Sequence, residues 1–164
     1  MSDRVGVMTG QGVIDQIATA DQLYNEPQTA FVADFVGENN AFAGTVTKTD
    51  GDHAILNTES GSLKSLNRLN LNSGQKAIAF VRPEAILLAE DSTAVENILK
   101  FTVKNLSFEG SFITVFLNTP GGQTCVMKQN NDGSTPLMQT GTEIKVCFSA
   151  ENTQLLPYGE VSYA

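Results

Sequence analysis

The sequence predicts a mainly β protein: an all-β barrel or sandwich of about ten short strands, preceded by a β-hairpin and two short helices. Three observations carry that expectation. From Phe42 to Leu156, short apolar runs alternate with polar residues at a period of two, and Gly-, Asn- or Pro-bearing turns separate them. The chain is rich in Gly and Thr, Phe dominates its aromatics and Trp is absent, a mix that suits strands and turns more than long helices. Finally, Gly74-Gln75-Lys76-Ala77-Ile78-Ala79-Phe80-Val81 can be laid on Gly141-Thr142-Glu143-Ile144-Lys145-Val146-Cys147-Phe148 with one constant offset.

The first forty residues differ from the rest. Arg4–Met8 and Val13–Ile17 are two apolar runs around Thr9-Gly10-Gln11-Gly12, a hairpin signal. Thr19-Ala20-Asp21-Gln22 forms a capping box that opens a short helix, and Pro27 ends it. A second helix is expected from Gln28, with Phe31, Val32, Phe35 and Val36 at helical spacing and Gly37 as the stop. These faces are too small to cover one another.

After Asn40 the period changes to two. Phe42–Thr47 reads as a strand, Asp50-Gly51 as a turn, Ala54–Leu56 as a strand, Ser62–Leu66 as a weaker one and Asn67–Ser73 as a polar loop. The run from Gly74 to Val81 has the pattern of a buried strand and breaks at Arg82-Pro83-Glu84, because Pro lacks a backbone donor and keeps the residue before it out of the helical region. It resumes over Ala85–Leu88. Leu99–Lys104 alternates cleanly, and Phe112–Leu117 is apolar on both faces, hence central. Phe101, Phe112, Phe116 and Phe148 sit at core-type alternation. Thr124–Lys128, Glu143–Phe148 and the Leu155-Leu156-Pro157 end complete the set. The offset that pairs the two octets also lays Glu84 on Glu151 and Leu88 on Leu155, and Thr45-Val46 resembles Thr102-Val103. A duplicated small β-module follows, two half-barrels around one core, with Arg82-Pro83-Glu84 at a junction that Ser149-Ala150-Glu151 keeps in part.

Composition excludes several functions. A net charge of −8 disfavours a phosphate-backbone partner, which needs clustered Lys and Arg. There is no 18-residue apolar stretch for a membrane span and no signal-peptide pattern at the N-terminus. Cys125 and Cys147 are far apart, without a C-x-x-C, and read as buried thiols of a reduced, cytosolic compartment. No catalytic constellation is present. His53, the lone histidine, lies in the turn Asp50-Gly51-Asp52-His53 and reads as solvated. Asp50 and Asp52 lack the spacing of a calcium loop, and the paired glycines lack the Lys-Ser/Thr of a phosphate loop. The expectation is a binding or regulatory module with no catalytic, cofactor-binding or metal residues, not an enzyme.

Two stretches carry a family resemblance. Ser2-Asp3-Arg4 with Val5–Met8, then Leu23-Tyr24-Asn25-Glu26-Pro27 and Phe31-Val32-Ala33-Asp34-Phe35-Val36-Gly37, resemble the end of the nucleotide-binding domain of an ABC importer ATPase. Gly44-Thr45-Val46 through Val81-Arg82-Pro83-Glu84 to Leu155-Leu156 is similar to the transport-associated oligobinding-like (TOBE) domain that follows it. The resemblance divides the chain into residues 1–40, a remnant of the nucleotide-binding domain, and residues 41–164, a tandem TOBE regulatory domain. The Gly37-Glu38-Asn39-Asn40 wording is most like the spermidine/putrescine group, with ferric-iron and sugar importers as alternatives.

Several expectations come with it. The parent chain would use ATP and Mg to drive uptake, whereas this part, starting at Ser2-Asp3-Arg4, would hold no ATP-contacting motif. Its partners would be a second copy of the subunit, the inner-membrane permease subunits and a cytosolic small-molecule regulator. Its place would be the cytoplasmic face of the inner membrane. Arg82, Pro83 and Glu84 would be family-marking structural or dimer-contact residues. The rivals are a stand-alone oxyanion or small-ligand binder and, less well supported by an acidic chain, a nucleic-acid-binding barrel.

Overall fold

The computed structural model describes residues 5–8, 14–18, 39–89, 96–133 and 138–158. The expected hairpin is present: β1 (Val5–Met8) pairs antiparallel with β2 (Ile14–Ala18), with a bulge between Val7 and Met8. The two expected helices and Ser2, Asp3 and Arg4 lie outside the described residues.

Ten further strands follow among the described residues, the number the alternation suggests. Five are β3 (Asn40–Asp50), β4 (His53–Thr58), β5 (Gly61–Leu66), β6 (Lys76–Val81) and β7 (Leu87–Leu88). The other five are β8 (Asn97–Glu109), β9 (Phe112–Asn118), β10 (Thr124–Asn130), β11 (Glu143–Phe148) and β12 (Thr153–Pro157). They form a closed barrel in the order β12-β5-β4-β3-β6 and an open sheet in the order β10-β9-β8-β11-β7.

The duplication is visible atom by atom. In the barrel, β3 pairs with β6 from Asn40↔Val81 to Thr45↔Lys76; in the sheet, β8 pairs with β11 from Asn97↔Phe148 to Thr102↔Glu143. A bulge interrupts β3–β4 between Val46 and Lys48, and its counterpart interrupts β8–β9 between Val103 and Asn105. Beside each bulge the same two backbone bonds recur: Val46 N–H to Gln75 O and Gly74 N–H to Val46 O in one copy, Val103 N–H to Thr142 O and Gly141 N–H to Val103 O in the other. A bulge raises local twist, which lets so short a sheet curl toward a barrel.

The corners exchange the copies. Pro83–Ala85 is a 3-10 turn that carries the chain from β6 in the barrel to β7 at the edge of the sheet. Ala150–Asn152 is a 3-10 turn that carries it from β11 in the sheet to β12 in the barrel. Each copy therefore gives its last strand to the other. Only Leu87–Leu88 pairs with β11, so the run after Pro83 is shorter than the alternation suggests. The five residues of β12 pair along β6 and touch β5 in parallel at Gln154↔Leu66, which closes the barrel.

One core spans both copies. Phe42 stacks between Phe101 and Phe148, each 6.3 Å away between ring centroids, so a ring from β3 rests between two from the other copy. Leu56, Leu63, Val115, Leu117, Met127 and Leu155 fill the same cluster. Phe112 and Phe116 correct the sequence reading. Ile113, Val115 and Leu117 face inward on β9, which turns both phenylalanines to the outer face, half-buried, with the Lys128 ammonium 5.4 Å from the Phe112 ring centre. A strand apolar on both faces cannot reveal which face is the core.

Candidate functional site

The two corners singled out in the sequence lie at the seam between the copies, while Ser2, Asp3 and Arg4 lie outside the described residues. At the first corner, Arg82 is extended (φ −71°, ψ 146°) and half-buried, Pro83 is buried as the first residue of the turn, and Glu84 is exposed within it. The second corner repeats this backbone: Ser149 is extended (φ −79°, ψ 155°), Ala150 is buried and Glu151 takes the place of Glu84. A Pro at the first helical position costs nothing, since its missing N–H has no partner within the turn. In the second corner Ala150 keeps that N–H and donates it to Glu96 Oε2 (3.3 Å). The Glu96 carboxyl is held below the usual carboxylate range by its own backbone N–H first and that of Ala150 next, against an upward push from burial, with smaller help from Lys64 and His53.

His53 is not simply a solvated turn residue. Its Nε2 lies 2.8 Å from Glu151 Oε1, joining the β3–β4 turn to the second corner. A contact this exposed contributes little to stability but links the two elements.

Two buried asparagines do more. Asn40 donates from Nδ2 to Val126 O and accepts the Val126 N–H at Oδ1, both at 2.8 Å. Asn97 does the same to Lys64, donating to its carbonyl at 2.8 Å and accepting its N–H at 2.7 Å. Each starts the first long strand of its copy and acts as a substitute neighbouring strand for the edge of the other. Sequence reasoning missed both, although the register that matches Thr45-Val46 with Thr102-Val103, carried back, lays Asn40 on Asn97.

The seam also holds a cleft of about 220 Å³, where the β4–β5 turn (Thr58, Glu59, Ser60) faces the β9–β10 turn (Thr119, Gln123) over Phe42 and Ala43. Thr58 Oγ1 donates to Gly61 O, Thr119 Oγ1 accepts the Gln123 N–H, and the Gln123 side chain donates to Ala41 O. Glu59 is the only charged residue of the lining among the described residues, so the cleft suits hydrogen-bond donors better than oxyanions. Among the described residues no group of three His, Cys, Asp or Glu side chains is placed to hold a metal, and no helix is long and apolar enough to cross a membrane.

Comparison with known proteins fits this geometry. The model of the TOBE domain matches residues 79–156. The matched stretch opens inside β6, runs through both corners and the whole second copy, and ends inside β12. The TOBE match thus contains β7 and most of β12, the exchanged strands.

Beyond the TOBE match, the similarity extends over nearly the whole chain. The spermidine/putrescine import ATP-binding protein PotA of Rubrobacter xylanophilus is 31% identical over 159 residues, 95% of this chain and 41% of that protein. The proteins of the same name from Trichodesmium erythraeum (31%, 93% and 42%) and Ruegeria pomeroyi (32%, 95% and 42%) are similar. The match falls on the C-terminal portion of these importer subunits. This chain spans about two fifths of the length of the curated relatives it matches. A solved structure of the cytoplasmic molybdate-binding protein ModG with molybdate bound shares the fold, with a TM-score of 0.62 and 24% identity over 71% of this chain and 94% of that one.

Proposed function

We propose that this chain is the regulatory and dimerisation part of the ATP-binding subunit of an ABC importer for polyamines. The observation that carries the reading is the extent of the similarity: 93–95% of the chain aligns with spermidine/putrescine import ATP-binding proteins of three bacteria. In this reading residues 1–40 belong to the end of the nucleotide-binding domain and residues 41–164 to the TOBE region. ATP and Mg act in the parent chain, and this part turns over no ATP. The partners are a second copy of the subunit and the permease subunits, at the cytoplasmic face of the inner membrane. Arg82, Pro83 and Glu84 serve as structural or dimer-contact residues.

The fold supports a regulatory role physically. Because each copy lends a strand to the other, a displacement of one corner is felt by both sheets, and rigid packed elements transmit such shifts. A small-molecule regulator would enter the cleft over Phe42, with donor groups toward Glu59. Ferric-iron and sugar importers remain alternative parents.

The test is a graft. This chain replaces the matching C-terminal portion of the Rubrobacter xylanophilus relative, and spermidine uptake is measured in membrane vesicles beside the truncated subunit. Uptake restored well above the truncated level supports the reading. A graft that assembles with its permease yet stays at the truncated level overturns it.

A stand-alone oxyanion binder is the second reading, favoured by the fold shared with the molybdate-binding protein. The carboxylate in the cleft counts against it. Calorimetry with molybdate, tungstate and sulfate separates the two, since saturable heat on this chain alone belongs only to the second.

A further inference from the structure

The two copies share a backbone but not an outer surface. On the barrel, the outward rows across three strands are Ala41–Phe80–Gln154 and Ala43–Ile78–Leu156. Ile78, Phe80 and Leu156 are buried there as a small separate cluster with Ala41 and Leu69. The corresponding rows on the open sheet are Ile98–Cys147–Leu87 and Lys100–Lys145. Here Leu87 is 51% and Ile98 46% exposed, and Cys147 is buried between them. Lys100 and Lys145 are both exposed and stand directly opposite each other across the ladder.

Like charges in directly opposed positions destabilise a sheet, and no fold requirement asks for them at an exposed pair. The chain has 18 acidic residues against 10 basic ones, so a cationic pair is also the less expected placement. Neither lysine has an ion-pair partner among the described residues; the nearest acid along the same face of β11 is Glu143. Two cations beside two exposed aliphatic side chains make a surface complementary to an anion with an apolar neighbour.

Spacing fixes the form of that partner. The lysine row and the Leu87–Cys147–Ile98 row are two residues apart along the strands, about 6.8 Å. An extended segment lying along the sheet repeats its own side chains on one face at the same interval. It would set a carboxylate over Lys100 and Lys145 and, two residues on, an aliphatic or aromatic side chain over Leu87 and Ile98. A second copy docking through the same face would bring two further lysines and no net negative charge to the contact, which disfavours it.

We propose that the outer face of β7, β11 and β8 docks an extended acidic segment of a partner protein, reading Asp/Glu-x-apolar through Lys100, Lys145, Leu87 and Ile98. The probe is a synthetic peptide repeating Glu-Thr-Leu-Thr, which presents Glu and Leu alternately on one face. It is titrated into the isotope-labelled full chain and followed by NMR. Shifts should concentrate at Leu87, Ile98, Lys100, Lys145 and Cys147. The double variants Lys100→Glu/Lys145→Glu and Leu87→Ser/Ile98→Ser, all on exposed side chains, should each weaken binding by about tenfold or more while keeping the native spectrum elsewhere. Peptides repeating Lys-Thr-Leu-Thr or Glu-Thr-Ser-Thr should bind at least about tenfold more weakly. The proposal is overturned if the Lys peptide binds as well as the Glu peptide, if shifts fall elsewhere, if charge reversal has no effect, or if only anionic vesicles engage the lysines.

Discussion

Asn40 and Asn97 make the same pair of hydrogen bonds in opposite directions across the seam, Asn40 to the backbone of Val126 and Asn97 to that of Lys64. Each carboxamide offers one donor and one acceptor to a strand edge, as a neighbouring strand would. Truncating either to Ala removes the partners of a part-buried peptide N–H and C=O. The expected loss is about 2–4 kcal/mol for each, from two hydrogen bonds and the desolvation of their orphaned partners. Urea titration of Asn40→Ala and Asn97→Ala checks this, and a loss below about 0.5 kcal/mol would remove the asparagines from the account of how the copies are joined.

Ala150→Pro tests the equivalence of the corners. Ser149 already has the extended backbone that a following Pro demands. The variant forfeits the hydrogen bond from Ala150 to Glu96, about 1 kcal/mol, and gains a similar amount from a stiffer unfolded chain. Stability should therefore change by less than about 1 kcal/mol, where Pro inside a strand would cost several times that. A collapse of the thermal transition would mean that the corners only look alike.

Gly44 and Gly121 should respond differently to the same methyl group. A Cβ at Gly44 would collide with the backbone carbonyl of Asn57, which is held in the β3–β4 ladder. A Cβ at Gly121 would meet the carboxylate of Glu59, the free end of an exposed side chain. Gly44→Ala should cost about 3 kcal/mol or more, and Gly121→Ala less than about 1 kcal/mol. Paired melting curves decide it, and equal losses would contradict the geometry.

Cys125 supplies a pH dependence of known sign. Burial pushes its thiol up to about 12, whereas an unfolded cysteine ionises near about 8.5. The folded state holds the proton more tightly, so this contribution is complete below about pH 8.5 and is lost as pH rises toward 12, by at most about 1.4 kcal/mol per pH unit. Cys147, also raised by burial, adds in the same direction. Urea midpoints should fall between about pH 8 and pH 10, and Cys125→Ala should flatten that fall. A wild-type midpoint that holds constant over this range would contradict it. Native Cys125 should also resist a thiol reagent that labels it promptly once the chain is unfolded.

Much of the chain is decided locally. The period-two alternation marked the β-domain strands because one face of each is buried, and Pro83 announced the first corner because a missing donor cannot continue a ladder. The constant offset between Gly74–Val81 and Gly141–Phe148 likewise lay open, and it points to the second corner at Ala150. The role of His53 did not. Glu151, its partner, is distant in sequence, and no local pattern reports a contact closed by two corners.

By itself, then, the sequence determined a duplicated β-module with a charged, Pro-fixed corner, since alternation, turn chemistry and repetition are written in neighbouring residues. Only the tertiary structure decided that the copies trade their last strands, that one closes into a barrel while the other stays open, and that Phe112 and Phe116 face outward. It also set Lys100 against Lys145. Those outcomes depend on which strand edges meet. Register across a sheet is fixed by packing between residues far apart in the chain, and a one-residue choice sends every side chain to the opposite face.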